Sequence, residues 1–556
     1  MILEILSNII KEYIDTDIMV KKSNRPDLCD YQFDGIFKLA SMQRKNPVEL
    51  GEELVKNINN REDFNDYFKK VEFVKPGFIN ITVSDKLINK ILREMNDDPH
   101  FLIKQDNSKT FVLDYGGPNI AKPLHVGHLR SPIVGEAIKR ILSFKGYKTI
   151  SDVHLGDYGL QIGEVIYAIK RDKKELNDIT LDYLEKVYPE ISALCKKDES
   201  VNNECARITK ELQDGNLEYH KYFEVIRKIS GEDIKRIYKF LDINFDLWYG
   251  ESDSYKYIDE AYNIIDSKNM FYESEGALVV SVEDESDKKE IPPLIFKKSN
   301  GAYLYGTTDI ATILQREKDF KPDNILYIVD NRQAMHFLQV FRTVKKSGIT
   351  DANLEFLGFG TVNGADGKPY KTRDGSAPKL DNLFNEVKEI FISKKDTNKD
   401  MLESDKDKIV NAILKFADLQ NNREKDYIFD IEKFSDVVGK TGPYILYTYL
   451  RINKLLNNET NELNDIIYND YDRNLRLKLL ELEISFNEAL KTRMPNHIAD
   501  YLYDLCVIVN SFYQNNHINS LNDNTIKNNW IYVLNLTNKI IKQMLNILAI
   551  DIPSIM

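Results

Sequence analysis

The fold is decided by one stretch of nineteen residues, Thr110-Phe111-Val112-Leu113-Asp114-Tyr115-Gly116-Gly117-Pro118-Asn119-Ile120-Ala121-Lys122-Pro123-Leu124-His125-Val126-Gly127-His128. Its first four residues, Thr110 to Leu113, predict a buried strand. The apolar residues that follow His128 recur at helical spacing, so a helix is expected there. Pro132 is compatible with that helix because it lies near the first turn, where backbone N–H groups lack intrahelical partners.

The start of this helix is a candidate phosphate-binding site. Backbone N–H groups and the positive end of a helix dipole favour an anion at that position. His125, His128 and Lys122 add donors, and Gly127 allows a nucleotide to lie close to the backbone. Two loop histidines are more often ordinary surface residues than ligands, so the pattern favours nucleotide binding without naming a reaction.

The bulk composition indicates a globular protein of several domains. The chain has 556 residues, of which 42% are hydrophobic and 29% charged, so about two to four domains are expected. The net charge of −12 argues against nonspecific coating of nucleic acid, although local basic patches remain compatible with RNA binding.

The location in the cell is predicted from the hydropathy of the chain, its first fifteen residues and its cysteines. No apolar run approaches the length of a membrane span, and the first fifteen residues have the pattern of an amphipathic helix rather than of a signal peptide. The four cysteines lack the C-x-x-C spacing of zinc sites and do not suggest a disulfide framework. We therefore expect a cytoplasmic protein with no membrane association and with simple packed thiols.

The first 105 residues predict a small α/β domain. Helices are expected at Leu3–Tyr13 and Pro47–Ile58, and the alternation in Gly77–Val83 predicts a half-buried strand. The polar segment Asp106–Ser108 is a plausible boundary to the next domain.

Residues 106–395 alternate between strand and helix patterns, which predicts a Rossmann-like, doubly wound parallel sheet with helices on both faces. The predicted elements are strands at Lys148–Val153, Asn324–Val329 and Leu354–Gly358 and helices at Gly163–Arg171, Thr308–Lys318 and Gln333–Lys346. Charged helical segments and a strand at Gly276–Val282 interrupt the alternation, so an insertion is expected at about 172–300.

Two further segments complete the organisation. Repeated glycines with Lys and Arg over Gly358–Gly375 suggest a mobile basic loop suited to closing over phosphates, although composition alone favours a solvated surface loop. Residues 396–556 predict an all-α helical bundle, with apolar helical spacing at Lys408–Leu419, Pro443–Leu456, Leu475–Leu490, His497–Tyr513 and Ile526–Leu548.

Several of these motifs together resemble the arginyl-tRNA synthetases of class I. The segments that carry the resemblance are Pro118–Ser131, His154–Gly159 with Gln161, Tyr305–Asp309, and Gln333 with His336. It covers nearly the whole chain and is strongest at 110–165, 303–375 and 415–513. It implies ATP-dependent ligation of L-arginine to arginine tRNA through an arginyl-adenylate, with ATP and Mg²⁺ bound together.

The resemblance also implies site residues. His125, His128, Lys122 and Lys371 are expected in catalysis, and His125, Gly127, His128 and Lys371 in ATP binding. Arginine is expected to bind to Asp114, Asn119, Tyr305, Asp309 and Gln333, because a planar guanidinium prefers forked carboxylate partners. A helix N-terminal carboxylate is the alternative role of Asp309.

The signature loop departs from the common pattern. Class I synthetases often carry Lys-Met-Ser-Lys-Ser, whereas Lys368–Gly375 reads Lys-Pro-Tyr-Lys-Thr-Arg-Asp-Gly. Many arginyl enzymes have such a variant, and Lys122 is thought to compensate, so the sequence leaves open which lysine contacts which phosphate. A requirement for tRNA before arginine is activated is a further hypothesis based on these lysines.

Binding of tRNA is expected at both ends of the chain. The N-terminal domain resembles the family's additional domain for the tRNA elbow, with Phe78 and Asn80 as candidates; simple packing and a turn contact are their alternatives. The C-terminal bundle resembles the anticodon-binding domain, with Tyr444, Tyr447, Arg451 and Met556 as candidates. A monomer is expected.

Two other functions remain open at this point. One is a paralogue that binds RNA or arginine without joining them, and the presence of both histidines and both pocket aspartates argues against it. The other is a small-molecule nucleotidyltransferase that shares the His-x-Gly-His helix, and the long helical C-terminal region argues against it.

Overall fold

The computed structural model describes residues 1–364, 366–370, 379–394, 400–456 and 462–556. Contacts divide the chain into two compact units. One comprises residues 1–105, 445–491 and 497–544, and the other comprises residues 106–444, 492–496 and 545–556. The three-domain division expected from the sequence stays a prediction. No helix among the described residues is long and apolar enough to cross a membrane.

Residues 1–105 contain five helices and an antiparallel sheet, the α/β composition that the sequence predicted for this segment. Its helices are α1 (Ile2–Lys11), α2 (Ile36–Gln43), α3 (Pro47–Asn59), α4 (Phe64–Tyr67) and α5 (Asp85–Asp97). Its strands are β1 (Lys21–Lys22), β2 (Tyr31–Phe33), β3 (Phe68–Val74) and β4 (Phe78–Val83), which form an antiparallel sheet in the order β1-β2-β4-β3.

The centre of the second unit is a four-stranded parallel sheet, as predicted. Its strands are β5 (Thr110–Tyr115) and β6 (Lys148–Asp152), with α6 (Arg130–Phe144) between them and α7 (Leu160–Arg171) after them. The segment that follows contains α8 (Leu181–Cys195), α9 (Glu199–Gln213), α10 (Leu217–Phe240), α11 (Glu251–Ser254), α12 (Ile258–Asp266), and an antiparallel sheet of β7 (Phe271–Ser274), β8 (Ala277–Val280) and β9 (Leu294–Lys297).

The parallel sheet resumes after this segment. The elements are α13 (Tyr305–Phe320), β10 (Asn324–Ile328), α14 (Ala334–Ser347), β11 (Asn353–Phe356), β12 (Val362–Asn363), α15 (Leu380–Ser393), α16 (Glu403–Leu419), β13 (Tyr427–Ile428) and α17 (Ile431–Phe434). The strand order is β11-β10-β5-β6, with every pair parallel.

Helices cover both faces of this sheet because side chains alternate along each strand. On one face, Val112 of β5 and Ile325 of β10 belong to a core cluster with Ile310 of α13 and Val340 of α14. On the other face, Tyr115 of β5 lies against α6, and its hydroxyl donates to Glu136 Oε2 at 2.7 Å.

The C-terminal helices are α18 (Gly442–Asn453), α19 (Asp470–Leu480), α20 (Leu482–Thr492), α21 (Asn496–Asn516) and α22 (Asn524–Ile547). The predicted single helix at Leu475–Leu490 is wrong, because the chain forms two helices, α19 and α20, with Glu481 between them. Within the first unit, Arg473 of α19 donates to Asp85 Oδ1 at 2.7 Å and to Asp30 Oδ2 at 2.6 Å.

The contact between α6 and β5 depends on a glycine. A Cβ on Gly135 would lie 2.2 Å from Cγ of Tyr115, which is shorter than any real Cβ contact. Tyr115 cannot move away easily because it is fully buried and hydrogen-bonded to Glu136. The helix that follows the His-x-Gly-His motif is therefore held against β5 at a distance that excludes any side chain at 135.

We predict that Gly135→Ala lowers the free energy of unfolding by about 1–3 kcal/mol, because overpacking forces strain into a filled core. Thermal and urea unfolding of the full chain would measure it. Gly231→Ala is the matched control: this glycine also lies inside a helix, α10, and nothing is within 4 Å of its Cβ position. The control should be stabilised by ~0.5–1 kcal/mol. Equal effects of the two substitutions would contradict the packing argument.

Candidate functional site

A cavity of about 630 Å³ opens beyond the carboxyl ends of β5 and β10. These two strands are neighbours in the sheet, but β6 lies beyond one of them and β11 beyond the other. A parallel sheet leaves a ligand-binding crevice where its strand order reverses in this way. Eight predicted site residues line the cavity: Asp114, Asn119, His125, Gly127, His128, Tyr305, Asp309 and Gln333.

The cavity also contains acidic, basic and histidine side chains that had no predicted role. They are His154, Glu251, Asp330, Arg332 and His336. His154 and His336 lie within motifs that carried the resemblance, so their position was a usable signal. Glu251 stands at the start of α11, inside the expected insertion, and no local pattern marks it as a ligand-binding residue.

The two histidines of the motif form a compact turn before α6. Nδ1 of His125 accepts a hydrogen bond from the N–H of Gly127, and Nδ1 of His128 accepts one from the N–H of His125, both at 3.1 Å. Burial lowers the pKa of both imidazoles, and the charge of Lys122 lowers it further; the pKa of His128 falls to about 3. Both rings are therefore neutral near pH 7 and carry their proton on Nε2, which makes each a hydrogen-bond donor.

This turn corrects one expectation from the sequence. Backbone N–H groups were expected to face the anion, but those of His125 and Gly127 are bonded to the imidazoles. The N–H of His128 donates to the carbonyl of His125 at 2.8 Å. The imidazole Nε2–H groups of this turn remain available as donors to a ligand.

Asp114 ends β5 and has a buried partner. Asp114 and Asp152 are paired residues on the neighbouring strands β5 and β6, so their side chains lie on the same face. Nη2 of Arg316, on α13, donates to Oδ2 of both at 2.7 Å. Arg316 is 1% exposed, so the two carboxylates and the guanidinium form a buried charge cluster that borders the cavity.

His154 extends this cluster. Its Nδ1 lies 3.6 Å from Oδ2 of Asp152. Burial by itself would lower the pKa of His154, but its pairing with Asp152 and the charge of Asp114 raise that pKa to about 9. Burial raises the pKa of Asp114, whereas His154 and Arg316 hold the pKa of Asp152 below its usual range. Asp114 and Asp152 therefore have the basic side chains of Arg316 and His154 beside them.

Asp309 lies on α13 and faces the cavity beside His336. Nε2 of His336 and Oδ2 of Asp309 are 2.5 Å apart. The alternative role of Asp309 as a first-turn carboxylate loses support, because α13 begins at Tyr305 and Asp309 is its fifth residue. Tyr305 is 56% exposed at the mouth of the same helix, so its hydroxyl is accessible to a ligand.

Glu251 is a second carboxylate of the cavity, and among the described residues it forms no ion pair with a Lys or Arg side chain. The residue is 8% exposed, and one of its oxygens accepts a hydrogen bond from the N–H of Tyr158 at 3.4 Å. Burial raises the pKa of Glu251 to about 7, with Asp157 and Asp309 adding to the rise and His154 opposing it. A cationic ligand in the cavity would favour the ionised form of this group.

The other predicted residues lie elsewhere or outside the described part of the chain. Lys122 is half-buried near the histidine turn but does not line the cavity, and Lys371 lies outside the described residues. In the first unit, Phe78 is half-buried, and Asn80 is buried and accepts a hydrogen bond from Gln32 at 2.9 Å.

The predicted residues of the C-terminal region also differ in exposure. Tyr447 is 43% exposed, whereas Tyr444 and Met556 are half-buried. The guanidinium of Arg451 lies 4.1 Å from the ring centre of Tyr513, and both residues line a cavity of about 440 Å³. Across the described ranges, no group of three or more His, Cys, Asp or Glu side chains is placed to hold a metal ion.

Three protein families match successive parts of the chain. Residues 1–83 match the arginyl tRNA synthetase N terminal domain, residues 88–431 match the catalytic domain of class I tRNA synthetases (R), and residues 445–556 match the DALR anticodon binding domain. The matched segments account for most of the sequence.

Whole proteins with these domains are similar over nearly the full length. The arginine–tRNA ligase of Alkaliphilus oremlandii is 40% identical over 96% of this chain and 95% of its own, and that of Francisella tularensis is 38% identical over 97% and 96%. The arginyl-tRNA synthetase structure from Plasmodium falciparum is 24% identical and covers 100% of this chain and 99% of its own. The one from Thermus thermophilus is 21% identical and covers 100% of both chains. Both have a TM-score of 0.79, which supports the fold.

Proposed function

The chain belongs to the arginyl-tRNA synthetases of class I, which join arginine to tRNA at the expense of ATP, and we propose where this reaction takes place. Arginine and ATP react in the cavity beyond the carboxyl ends of β5 and β10. The observation that carries the proposal is the composition of this one cavity. It combines neutral imidazole donors at one helix start with two carboxylates, Asp309 and Glu251, that form no ion pair with Lys or Arg among the described residues. Their basic neighbours are histidines, His336 beside Asp309 and His154 near Glu251.

In the first step, the α-carboxylate of arginine attacks the α-phosphorus of ATP and pyrophosphate leaves, which gives arginyl-adenylate. The carboxylate is already ionised at neutral pH, so the enzyme has no proton to remove. The protein must hold the reacting atoms in line and stabilise the charge on the phosphate oxygens.

We assign that stabilisation to the histidine turn. His125 and His128 are neutral and donate through Nε2, so their contribution is directional hydrogen bonding rather than net charge. Lys122 supplies a positive charge near the turn, and Lys371 is proposed to supply another from the signature loop. Mg²⁺ is proposed to enter with the nucleotide, since polyphosphate oxygens are ligands that it prefers.

The guanidinium of arginine is proposed to bind between Asp309 and Glu251. Asp114 is a poorer partner than the sequence suggested, because its charge is already compensated by Arg316 at 2.7 Å. Asp114 then fixes Arg316 and the end of β5. Asn119, Tyr305 and Gln333, which are exposed along the cavity, complete the polar contacts to the substrate.

In the second step, the activated arginine passes to a hydroxyl of the terminal ribose of arginine tRNA. We propose the 2′-OH as the acceptor because the enzyme belongs to class I. The bundle of α18 to α22 is proposed to bind the anticodon, and the N-terminal domain, with Phe78 and Asn80, the tRNA elbow. We propose that the enzyme acts as a monomer. We place the enzyme in the cytoplasm, where translation consumes arginyl-tRNA.

The first prediction concerns ATP–pyrophosphate exchange in the presence of arginine. We expect exchange with arginine tRNA present, and at least about a hundredfold loss of kcat/KM for arginine in Asp309→Ala, because a desolvated charge partner is removed. Asp319→Ala, an exposed carboxylate on the same helix, should match the wild type. Exchange that persists without tRNA would exclude the proposed tRNA requirement, and no exchange from folded protein would contradict the assigned site.

The second prediction is a pH dependence of arginine binding. The ionised form of Glu251 binds the guanidinium, and its pKa in the free enzyme is about 7. Arginine binding below that pH must expel a proton. The KM for arginine should therefore rise about tenfold as the pH falls from roughly 8 to 6, with the rise concentrated below pH 7.

Glu251→Gln tests the origin of that dependence. The amide cannot ionise, so the KM should be about 10 to 100 times higher at pH 8 and nearly independent of pH. Glu273→Gln, an exposed glutamate on β7 of the same unit, should keep the wild-type profile. A wild-type slope that survives in Glu251→Gln would assign the titration to another group.

The third prediction concerns tRNA. Arg451→Ala should raise the KM for tRNA about tenfold, because a guanidinium stacked on Tyr513 is suited to hold an unpaired base. The KM for arginine, measured in exchange at saturating tRNA, should not change. Lys454→Ala removes an exposed positive charge just beyond the same helix and should have a smaller effect. Equal effects of the two variants would indicate general electrostatic attraction instead.

A further inference from the structure

Two cysteines that are ten positions apart in the sequence meet in space. Sγ of Cys195, the last residue of α8, lies 3.6 Å from Sγ of Cys205 in α9. A disulfide needs a sulfur–sulfur distance of about 2.05 Å. We propose that Cys195 and Cys205 form a modification site that closes to an intrachain disulfide when the protein meets a two-electron thiol oxidant, namely a peroxide or a diazene that is reduced to a hydrazine.

The helices around this pair hold Cys205 in place. A Cβ on Gly163 of α7 would lie 2.2 Å from the carbonyl oxygen of Cys205, so α7 and α9 are in direct backbone contact. That carbonyl also accepts a hydrogen bond from Oγ1 of Thr209 at 2.9 Å. Cys195 stands at the end of its helix, so it is the residue that moves when the sulfurs approach.

Exposure assigns different roles to the two thiols. Cys195 is half-buried, whereas Cys205 is 0% exposed and belongs to a core cluster with Val187, Ile191 and Val201. An oxidant from solvent therefore reaches Cys195 first. Its thiolate attacks one oxygen of a peroxide, the O–O bond breaks, and a sulfenic acid and one water or alcohol form.

Cys205 then resolves this intermediate. Its thiolate attacks the sulfur of the sulfenic acid, the S–S bond forms, and hydroxide leaves as a second water after protonation. Two thiols have lost two electrons and two protons, and one peroxide has accepted them. Because the sulfur of Cys205 lies only 3.6 Å from that of Cys195, the intramolecular partner is favoured over thiols from solvent.

The surroundings set the rate of this reaction. Burial raises the pKa of both thiols, and the carboxyl group of Glu164 beside Cys195 raises the pKa of that thiol further. The thiolate fraction is small at neutral pH, so the pair should react slowly and only under sustained oxidation, unlike a catalytic thiol.

The helix that carries Cys205, α9, also lines a cavity next to the proposed site. Asn203, Arg207 and Lys210, on another part of α9, line a cavity of about 950 Å³. Tyr305 and Glu251 line both this cavity and the one described above. A disulfide would tie the helix that forms this wall to the end of α8.

The test is to oxidise the full-length protein with the thiol oxidant diamide at mildly alkaline pH, denature it, alkylate the remaining thiols and identify the peptides by mass spectrometry. We expect reactive thiols to fall from four to two, with a Cys195–Cys205 peptide pair that has lost two hydrogen atoms. Dithiothreitol should restore all four thiols. The same peptide pair should form with hydrogen peroxide, more slowly.

The variants separate this site from general oxidation. Cys195→Ser and Cys205→Ser should each abolish the cross-linked peptide, and Cys506→Ser should leave it unchanged, because Cys506 is 0% exposed in the C-terminal bundle. Circular dichroism would establish that each variant is folded. Four free thiols after oxidation, a cross-link through Cys29 or Cys506, or oxidation of Cys195 without a bond to Cys205 would each overturn the proposal.

Discussion

The hydrogen bonds from Arg316 to Asp114 and Asp152 are the interaction on which the rest of the site depends. Two adjacent parallel strands end in carboxylates on the same face, and these like charges are removed from water together. Such an arrangement is stable only with a buried cation, and loss of one partner in a cluster of this kind costs several kcal/mol, about 3–5. Arg316 reaches both carboxylates from α13 at 2.7 Å, so the helix that carries Asp309 is fixed to the strand that precedes the histidine turn.

The charge cluster also affects which side chains of the cavity are available to each substrate. Because Asp114 and Asp152 already have Arg316 and His154 beside them, we propose Asp309 and Glu251 as the carboxylates that bind the guanidinium of arginine. On the nucleotide side, burial and the charge of Lys122 keep both imidazoles of the motif neutral, and the backbone N–H groups fix their tautomer. The proposed site therefore has two carboxylates at the arginine end and uncharged hydrogen-bond donors at the nucleotide end.

Much of the fold was predictable from periodicity. The predicted strand at Thr110–Leu113 and the helix after His128 are present as β5 and α6, and the alternation that resumes after residue 300 is present as α13 to β11. The errors have local causes. Leu475–Leu490 keeps helical spacing across Glu481, so spacing alone cannot reveal the break between α19 and α20. The helix at 308–318 begins three residues earlier, at Tyr305, because aromatic and glycine residues are weak helix formers and hide its start.

The sequence by itself determined the alternation of strands and helices in the parallel sheet, the nucleotide motif and the family, because each depends on residues that are close together along the chain. Only the tertiary structure decided which distant groups meet. It paired Asp114 with a residue 202 positions away, placed Glu251 of α11 in the cavity, and brought Cys195 within 3.6 Å of Cys205. Their ionisation and reactivity follow from these neighbours and from burial, and neither is encoded in the spacing of any single segment.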